Sequence, residues 1–381
     1  MIPKLPDRPP NQALADALVP DRPAKGRGAV SNRTGRYEAQ ERVAVADGWE
    51  QAPAPAAAED DPAPSPRTTV SLDTTRTIIA RNDSPDIPFD RSINPYRGCE
   101  HGCVYCFARP THAYLGLSPG LDFETKLLMK PDAAKLLERE LRNPRYRCDV
   151  MAMGTNTDPY QPVEREHRIT RQILEVLNAF NHPVGIVTKS ALVMRDIDIL
   201  SDMARRNLAS VGVSVTSLDR DLARVMEPRA STPPRRLAAI AALAAAGIPT
   251  SVMVAPIIPA LNDSEIERIL AAATAAGARS ADYVLLRLPL EIKGLFEEWL
   301  ETHAPLKAKR VLDLVRETRG GQLYDATFGK RMTGTGPFAQ LIRNRFKLAS
   351  RKLGLDRRKL NLDVTKFRAP PGVGDQLSLG L

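Results

Sequence analysis

From Thr69 onward the chain alternates short apolar runs with longer segments of three-to-four-residue apolar spacing. Asp149-Val-Met-Ala-Met153 closes on Gly154, and Pro183–Thr188, Ala209–Thr216, Pro249–Ala255 and Asp282–Arg287 repeat the pattern. Runs so nearly continuous in apolar residues suit strands buried on both faces of a parallel sheet. Between them the spacing predicts helices. Pro131–Leu141 has proline in its first turn, where the missing N–H costs nothing. Arg168–Phe180 places Ile169, Ile173, Leu174, Leu177 and Phe180 on one face. Ile197–Met203, Pro234–Ala246 and Asp263–Ala276 follow, the last two stopped by Gly247 and Gly277 as C-terminal caps. With a first strand near Ser92–Asn94, the chain holds six strand–helix units, and such units cross over right-handed.

Periodicity alone does not separate an open barrel from a doubly wound sheet. The strand ends favour the barrel. Thr155-Asn-Thr-Asp158, Lys189-Ser190, Thr216-Ser217, Pro256 and Arg287 all follow apolar runs, and active sites of such barrels sit at the C-terminal ends of the strands. The fold class expected is α/β, a partial (β/α)6 TIM-type barrel over residues 69–340. Residues 1–68 are rich in proline and alanine and cannot bury enough apolar surface to offset chain entropy, so they are expected to be a disordered arm. One island in it, Lys25-Gly-Arg-Gly-Ala-Val-Ser-Asn-Arg-Thr-Gly-Arg36, reads either as extended backbone laid across an anion or the folded domain, or as a solvated linker. Residues 341–381 form a basic C-terminal extension in which Phe346 and Phe367 interleave with many Arg and Lys residues. This is the candidate polyanion contact, against the reading of a basic amphipathic helix packed on the barrel with its cations in water.

Composition and charge sharpen this picture. Aromatics are only 5% of the 381 residues, so aliphatic side chains and alanine must fill the core. A formal net charge of +9 makes nucleic acid a partner to consider through counterion release. No apolar h-region opens the chain and no run resembles a membrane span, so a cytoplasmic protein without membrane contact is expected. Oligomeric state is not legible.

Four cysteines are too few for a disulfide framework in a chain of this length. Three of them crowd into Cys99-Glu-His-Gly-Cys103-Val-Tyr-Cys106, and Cys148 stands apart. Thiolates select iron–sulfur clusters, zinc or copper(I). Three suit a four-iron cluster with one iron open to a small molecule. A structural zinc needs a fourth ligand, for which His101 and His112 are the candidates.

The run Cys99-x-x-x-Cys103-x-Tyr-Cys106 after a first strand resembles the radical S-adenosylmethionine (SAM) enzymes. Asn94-Pro-Tyr-Arg-Gly-Cys99, Cys106-Phe-Ala-Arg109 and Thr157-Asp-Pro-Tyr-Gln-Pro162 are similar to the spore photoproduct lyase-like branch, over roughly residues 70 to 340. The resemblance implies a [4Fe–4S] cluster on Cys99, Cys103 and Cys106, and SAM on its open iron. Reductive cleavage of SAM would give a 5′-deoxyadenosyl radical that abstracts hydrogen from a substrate, with an electron donor such as flavodoxin or ferredoxin as partner. It also implies SAM contacts at matching positions: Tyr105 against the adenine, Lys189 and Ser214 toward the carboxylate or ribose, Thr155 and Asp158 near the amino group, Ala255 and Pro256 packing on the adenine. Asp158 precedes Pro159 and also reads as a turn organiser; Arg229 reads as an anion ligand or a surface residue. Where the lyase carries its hydrogen-donating cysteine, this chain has Gly154, so repair of thymine photodimers by that route is not expected; Cys148 lies at the other end of the strand. The substrate class to consider first is nucleic acid, and a metabolite or protein second. The alternative from another class is a non-catalytic, metal-stabilised nucleic-acid-binding protein.

Overall fold

The apolar runs become the strands that their spacing predicts. The computed structural model describes residues 21–38, 45, 66–356 and 361–371. Among them the strands are β1 (Thr69–Leu72), β2 (Ile79–Arg81), β3 (Arg91–Ile93), β4 (Tyr96–Arg97), β5 (Lys126–Met129), β6 (Met151–Met153), β7 (Val184–Thr188), β8 (Ala209–Ser214), β9 (Thr250–Ile257) and β10 (Ser280–Leu285). β3, β6, β7, β8, β9 and β10 are neighbours in that order and pair in parallel. β2 lies antiparallel on β3 at the edge, and β1, β5 and β4 make a second small sheet. Neither β2 nor the small sheet was legible as alternating apolar runs.

The main sheet is curled. Ser92 of β3 and Leu285 of β10 line one cavity of about 460 Å³. Laid flat, these two strands would stand five spacings apart, about 24 Å, too far to share it. The series remains open between β10 and β2 among the described residues, so the fold is the partial barrel expected.

Helices cover the outside. Ile169–Ala179 fully buries Ile173, Leu174 and Leu177, the face that the 3.6-residue period marks. Pro233–Ala245 and Ile266–Ala275 end before Gly247 and Gly277, whose φ values of 76° and 100° are the left-handed conformation that glycine adopts without a steric penalty. At the end of β6, Gly154 has φ 82°, and a Cβ there would stand 1.8 Å from the Val187 carbonyl oxygen. No side chain of any kind fits at that position.

Two expected boundaries move. The extension drawn at 341–381 is not a separate appendage. The helix Gly336–Lys352 buries Ala339, Ile342, Phe346 and Ala349 in the barrel core, with Phe346 against Tyr283 of β10 at 4.7 Å between centroids. Arg345 pairs with Glu267 at 2.7 Å. Further on, Phe367 packs on Tyr146, Phe180 and His182. The two phenylalanines therefore serve packing, not a polyanion surface. Arg357, Arg358 and Lys359 lie outside the described residues.

The second correction concerns the arm. Residues 1–20, 39–44 and 46–65 lie outside the described residues, but 21–38 are not a solvated linker. Arg27, Gly28, Ala29, Val30 and Ser31 are buried as a strap across the cysteine loop. The amides of Gly28 and Ala29 donate to the two oxygens of Glu124 at 3.0 and 2.9 Å. Glu124 in turn pairs with Arg109, both side chains fully buried. Arg109 donates to the carbonyls of Cys103 (2.8 Å), Gly102 (3.1 Å) and Gly120 (2.9 Å). A Cβ on Gly28 would stand 1.8 Å from the Gly102 oxygen, so only glycine lets strap and loop approach this closely.

Two outcomes follow. Glu124→Gln leaves the Arg109 charge buried without its counter-ion and is expected to destabilise the chain by about 3–5 kcal/mol in urea unfolding; Gly28→Ala is expected to open the strap to protease at residues 24–36. Phe367→Ala is expected to cost about 2 kcal/mol, below the fully buried range because the ring is half-exposed; an unchanged melting temperature would detach the 361–371 segment from the barrel.

Candidate functional site

The C-terminal ends of the parallel strands and the loop after β3 enclose the cavity of about 460 Å³. Cys99, Cys103, Cys106, Tyr105, Thr155, Asp158, Lys189, Ser214, Ala255 and Pro256 all line it. Ten positions chosen from sequence, spread over more than 150 residues of chain, thus converge. Two other candidates do not. Cys148 is absent from the walls and lies just before β6, near Arg91; burial first, then Asp149, pushes its thiol up to about 12 against the opposing pull of Arg91. It is half-buried, less enclosed than a core residue. Arg229 does not line the cavity either. Its guanidinium pairs with Glu100 at 2.7 Å and its amide donates to the His101 carbonyl at 3.2 Å, so it braces the cysteine loop instead of facing a ligand.

Cys99, Cys103 and Cys106 carry free thiols, the first two buried and the third half-buried. Burial drives all three pKa values up; Asp158 adds to this at Cys99 and Glu227 at Cys103, whereas backbone hydrogen bonding opposes it at Cys106. Lys189 and Arg236 pull against this at Cys103, as Arg109 and Lys189 do at Cys106, but burial outweighs them, and the three thiols are a soft donor set. A metal group that replaces their protons relieves that cost. Three thiolates are the donor number that a four-iron cluster with one open iron takes, whereas a closed zinc site needs a fourth protein ligand. The histidines do not alter this. His112 Nε2 lies 2.9 Å from the Lys126 carbonyl and its ring packs edge-on against Phe123. His101 Nδ1 lies 3.4 Å from Asp158.

Asp158 joins three parts of the mouth. Its Oδ1 accepts from the Thr188 hydroxyl (2.7 Å) and the Tyr160 amide (2.9 Å), and its Oδ2 from the Lys189 amide (2.7 Å). Burial opposes its ionisation but is outweighed by His101 and by these donors, which hold its pKa at about 2. The carboxylate is committed to protein groups, and of its two sequence readings the turn organiser is the one its contacts match.

Tyr105 is buried. Its hydroxyl donates to Glu227, which also accepts from the Thr216 hydroxyl at 2.6 Å and pairs with Arg236. Arg236 reaches the Ser214 carbonyl at 3.1 Å. The network fixes the Tyr105 ring against the end of β8. Lys189 holds its ammonium 5.7 Å from the centre of that ring and has no carboxylate partner among the described residues. Ser214 lies between Val213 and Val215, both in the core, so strand alternation turns its hydroxyl to the cavity.

Sequence reasoning missed Glu124, Glu227, Arg236 and Glu100. Each is a charge fully or almost fully buried with a partner 9 to 129 residues away. Such pairs leave no periodic trace. The one signal was adjacency: Arg109 and Glu227 fall inside Cys106-Phe-Ala-Arg109 and Glu227-Pro-Arg229.

Comparison with known proteins agrees with this geometry. The model of the radical SAM superfamily matches residues 93–273, from the end of β3 into the helix before β10. An uncharacterized protein of Mycobacterium tuberculosis is 41% identical over 232 residues, 60% of this chain and 68% of that protein. An uncharacterized protein of Methanocaldococcus jannaschii is 28% identical over 173 residues, 45% of this chain and 62% of its own length. Among solved structures, a spore photoproduct lyase variant with bound AdoMet and dinucleoside spore photoproduct superposes with a TM-score of 0.55 at 16% identity, covering 74% of this chain and 78% of that one. A second lyase variant gives 0.54 at 18%, covering 75% and 79%. The lyase shares the fold. The chain belongs to the radical SAM superfamily, a class of enzymes that work with a [4Fe–4S] cluster and S-adenosylmethionine, and it is such an enzyme rather than a non-catalytic binding protein.

Proposed function

We propose that Cys99, Cys103 and Cys106 hold the [4Fe–4S] cluster and that the strand ends around them receive SAM. The observation that carries this reading is the convergence of the three thiols of Cys99, Cys103 and Cys106 on one cavity with Lys189, which has no carboxylate partner among the described residues. When bound, the cluster supplies the electron that splits the carbon–sulfur bond of SAM and so the radical that takes hydrogen from a substrate. The chain's own residues bind, orient and exclude water. The Lys189 ammonium meets the SAM carboxylate as a point charge. The Ser214 hydroxyl donates to the same end of the cofactor or to its ribose. Tyr105 supplies a flat wall fixed by Glu227, and Ala255 and Pro256 close the apolar side. Thr155 lies at the mouth beside the amino group, and Asp158 sets the position of Lys189 through its backbone amide.

The substrate we propose is nucleic acid. The net charge of +9 and a fold shared with a lyase whose structure holds a dinucleoside spore photoproduct support it. The chemistry is not that lyase's hydrogen return through a strand-end thiol, because Gly154 admits no side chain. The product radical must be quenched in another way or carried on to a different product. An acidic one-electron carrier of the flavodoxin or ferredoxin kind is the proposed reductant. No helix among the described residues is long and apolar enough to cross a membrane, and we place the enzyme in the reducing cytoplasm.

Anoxic reconstitution with iron and sulfide is expected to give a brown protein that, with dithionite and SAM, releases 5′-deoxyadenosine. Cys103→Ala is expected to lose iron, colour and product, whereas Cys148→Ala retains all three; loss of colour in the Cys148 variant would overturn the ligand set. Lys189→Ala is expected to raise the SAM concentration needed for half-maximal cleavage about tenfold, the loss of about 1.4 kcal/mol of binding, while iron content stays the same.

A further inference from the structure

Among the described residues, Lys189 and Arg287 line the cavity with no carboxylate partner, whereas the third cation there, Arg331, pairs with Asp86 at 2.5 Å. Lys189 ends β7, and Arg287 follows β10, three strands further along the curled sheet. Lys189 lies over the Tyr105 ring and Arg287 over the Phe107 ring.

The surroundings of Arg287 leave it short of acceptors. One terminal nitrogen lies 3.4 Å from the Met332 sulfur, a weak acceptor. The other lies 3.5 Å from the Tyr324 hydroxyl, at the outer limit of a hydrogen bond. Its Nε is buried and makes no hydrogen bond. Behind it stands a second guanidinium, that of Arg319, bonded to the carbonyls of Leu285, Leu286, Lys330 and Arg331. Burial and then the Arg287 charge draw the Arg319 pKa down to about 10, so positive charge is in local excess. A partly buried cation left like this is costly unless something anionic comes to it.

The ring beside it narrows the chemistry. Phe107, the residue after Cys106, is 45% exposed, and the Arg287 guanidinium lies 5.0 Å from its centroid. Phe89 and Ile87 line the same outer part of the cavity. A planar fork of donors suits a phosphate bidentately, and an aromatic ring next to an arginine is how single-stranded nucleic acid is gripped without sequence readout. The site lies inside a cavity, so a nucleotide reaches it only when unstacked from a duplex.

Resting on the nucleic-acid reading above, we infer that Arg287 and Phe107 form the substrate subsite, Arg287 holding the phosphodiester and Phe107 a base of an unstacked nucleotide beside the cluster loop. Arg287 is then a substrate residue at the end of β10, and it sets the demand for a phosphate-bearing substrate.

The test uses the cluster-loaded full chain and a fluorescein-labelled single strand of ten thymidines, with anisotropy read anoxically between 50 and 200 mM salt, about the range over which phosphate contacts are resolved. Arg287→Gln is expected to weaken binding about tenfold or more and to reduce the slope of log K against log salt by about 0.7, the loss of one phosphate contact to a single strand. Arg287→Lys keeps the slope and regains part of the affinity. Phe107→Leu keeps bulk but removes the π face, and weakens binding about fivefold or more with the slope unchanged; it reads the subsite even if the Arg287→Gln chain does not fold. Wild-type affinity and slope in Arg287→Gln, or wild-type affinity in Phe107→Leu, overturn the subsite and leave the nucleic-acid reading standing. No binding by the wild type up to about 100 μM, the weak end of non-specific affinity, removes both. Loss of SAM retention by Arg287→Gln in equilibrium dialysis assigns the guanidinium to the cofactor and also overturns the subsite.

Discussion

The Arg109 guanidinium is completely buried, and the shape of the cysteine loop depends on it. Its donors meet the carbonyls of Gly102, Cys103, Pro119 and Gly120 and the carboxylate of Glu124. A buried charge is tolerated only where such bonds are nearly complete, so the loop has little freedom to take another path. The same Glu124 fastens the strap from the far N-terminal side through two backbone amides. One ion pair therefore orders a stretch of chain that composition assigned to disorder, and it fixes the backbone that carries three thiols.

Two further carboxylates extend this arrangement to the barrel. Asp158 ties His101 of the loop to the end of β7, and Glu227 ties Tyr105 to the end of β8 and to Arg236. Glu100 does the same toward Arg229 and, through Thr68, toward Arg27 of the strap. The loop is thus held from three directions by charges whose partners come from separate elements. Donors of a metal group must stand in place before it arrives, because binding energy is otherwise consumed in ordering them.

The cavity divides by charge. Near the thiols its acidic wall residue is already committed to protein donors, and Lys189 is left as a cation open to an anion. Around β10, Arg287 is a second such cation, with exposed aromatic surface beside it. At the end of β6, Gly154 presses on the Val187 carbonyl and leaves no room for a side chain. A shared fold does not by itself carry a shared chemistry, which resides in the side chains at the strand ends.

Much of the architecture was legible in the chain. Five apolar runs, the helix faces between them and the stops at Gly247 and Gly277 report local periodicity and backbone preference, which a linear sequence carries directly. The spacing Cys99–Cys103–Cys106 was legible for the same reason, since ligands on one short loop stay together in any fold. Phe346 and Phe367 left two readings open, because a basic segment with interleaved rings reads alike whether the rings face a polyanion or the core; Phe346 packs on Tyr283 of β10 and Phe367 on Tyr146, Phe180 and His182, contacts that exist only in the assembled barrel. Of the two readings of Arg27 and Gly28, the backbone laid across the folded domain is the one the structure matches. A glycine-rich, charged run lacks the apolar area to fold alone, and it is ordered here by Glu124, nearly a hundred residues away. The sequence by itself determined the elements and the donor set. Tertiary structure decided which buried charges meet and which cations stay unpaired, because those pairings depend on distances that no local pattern encodes.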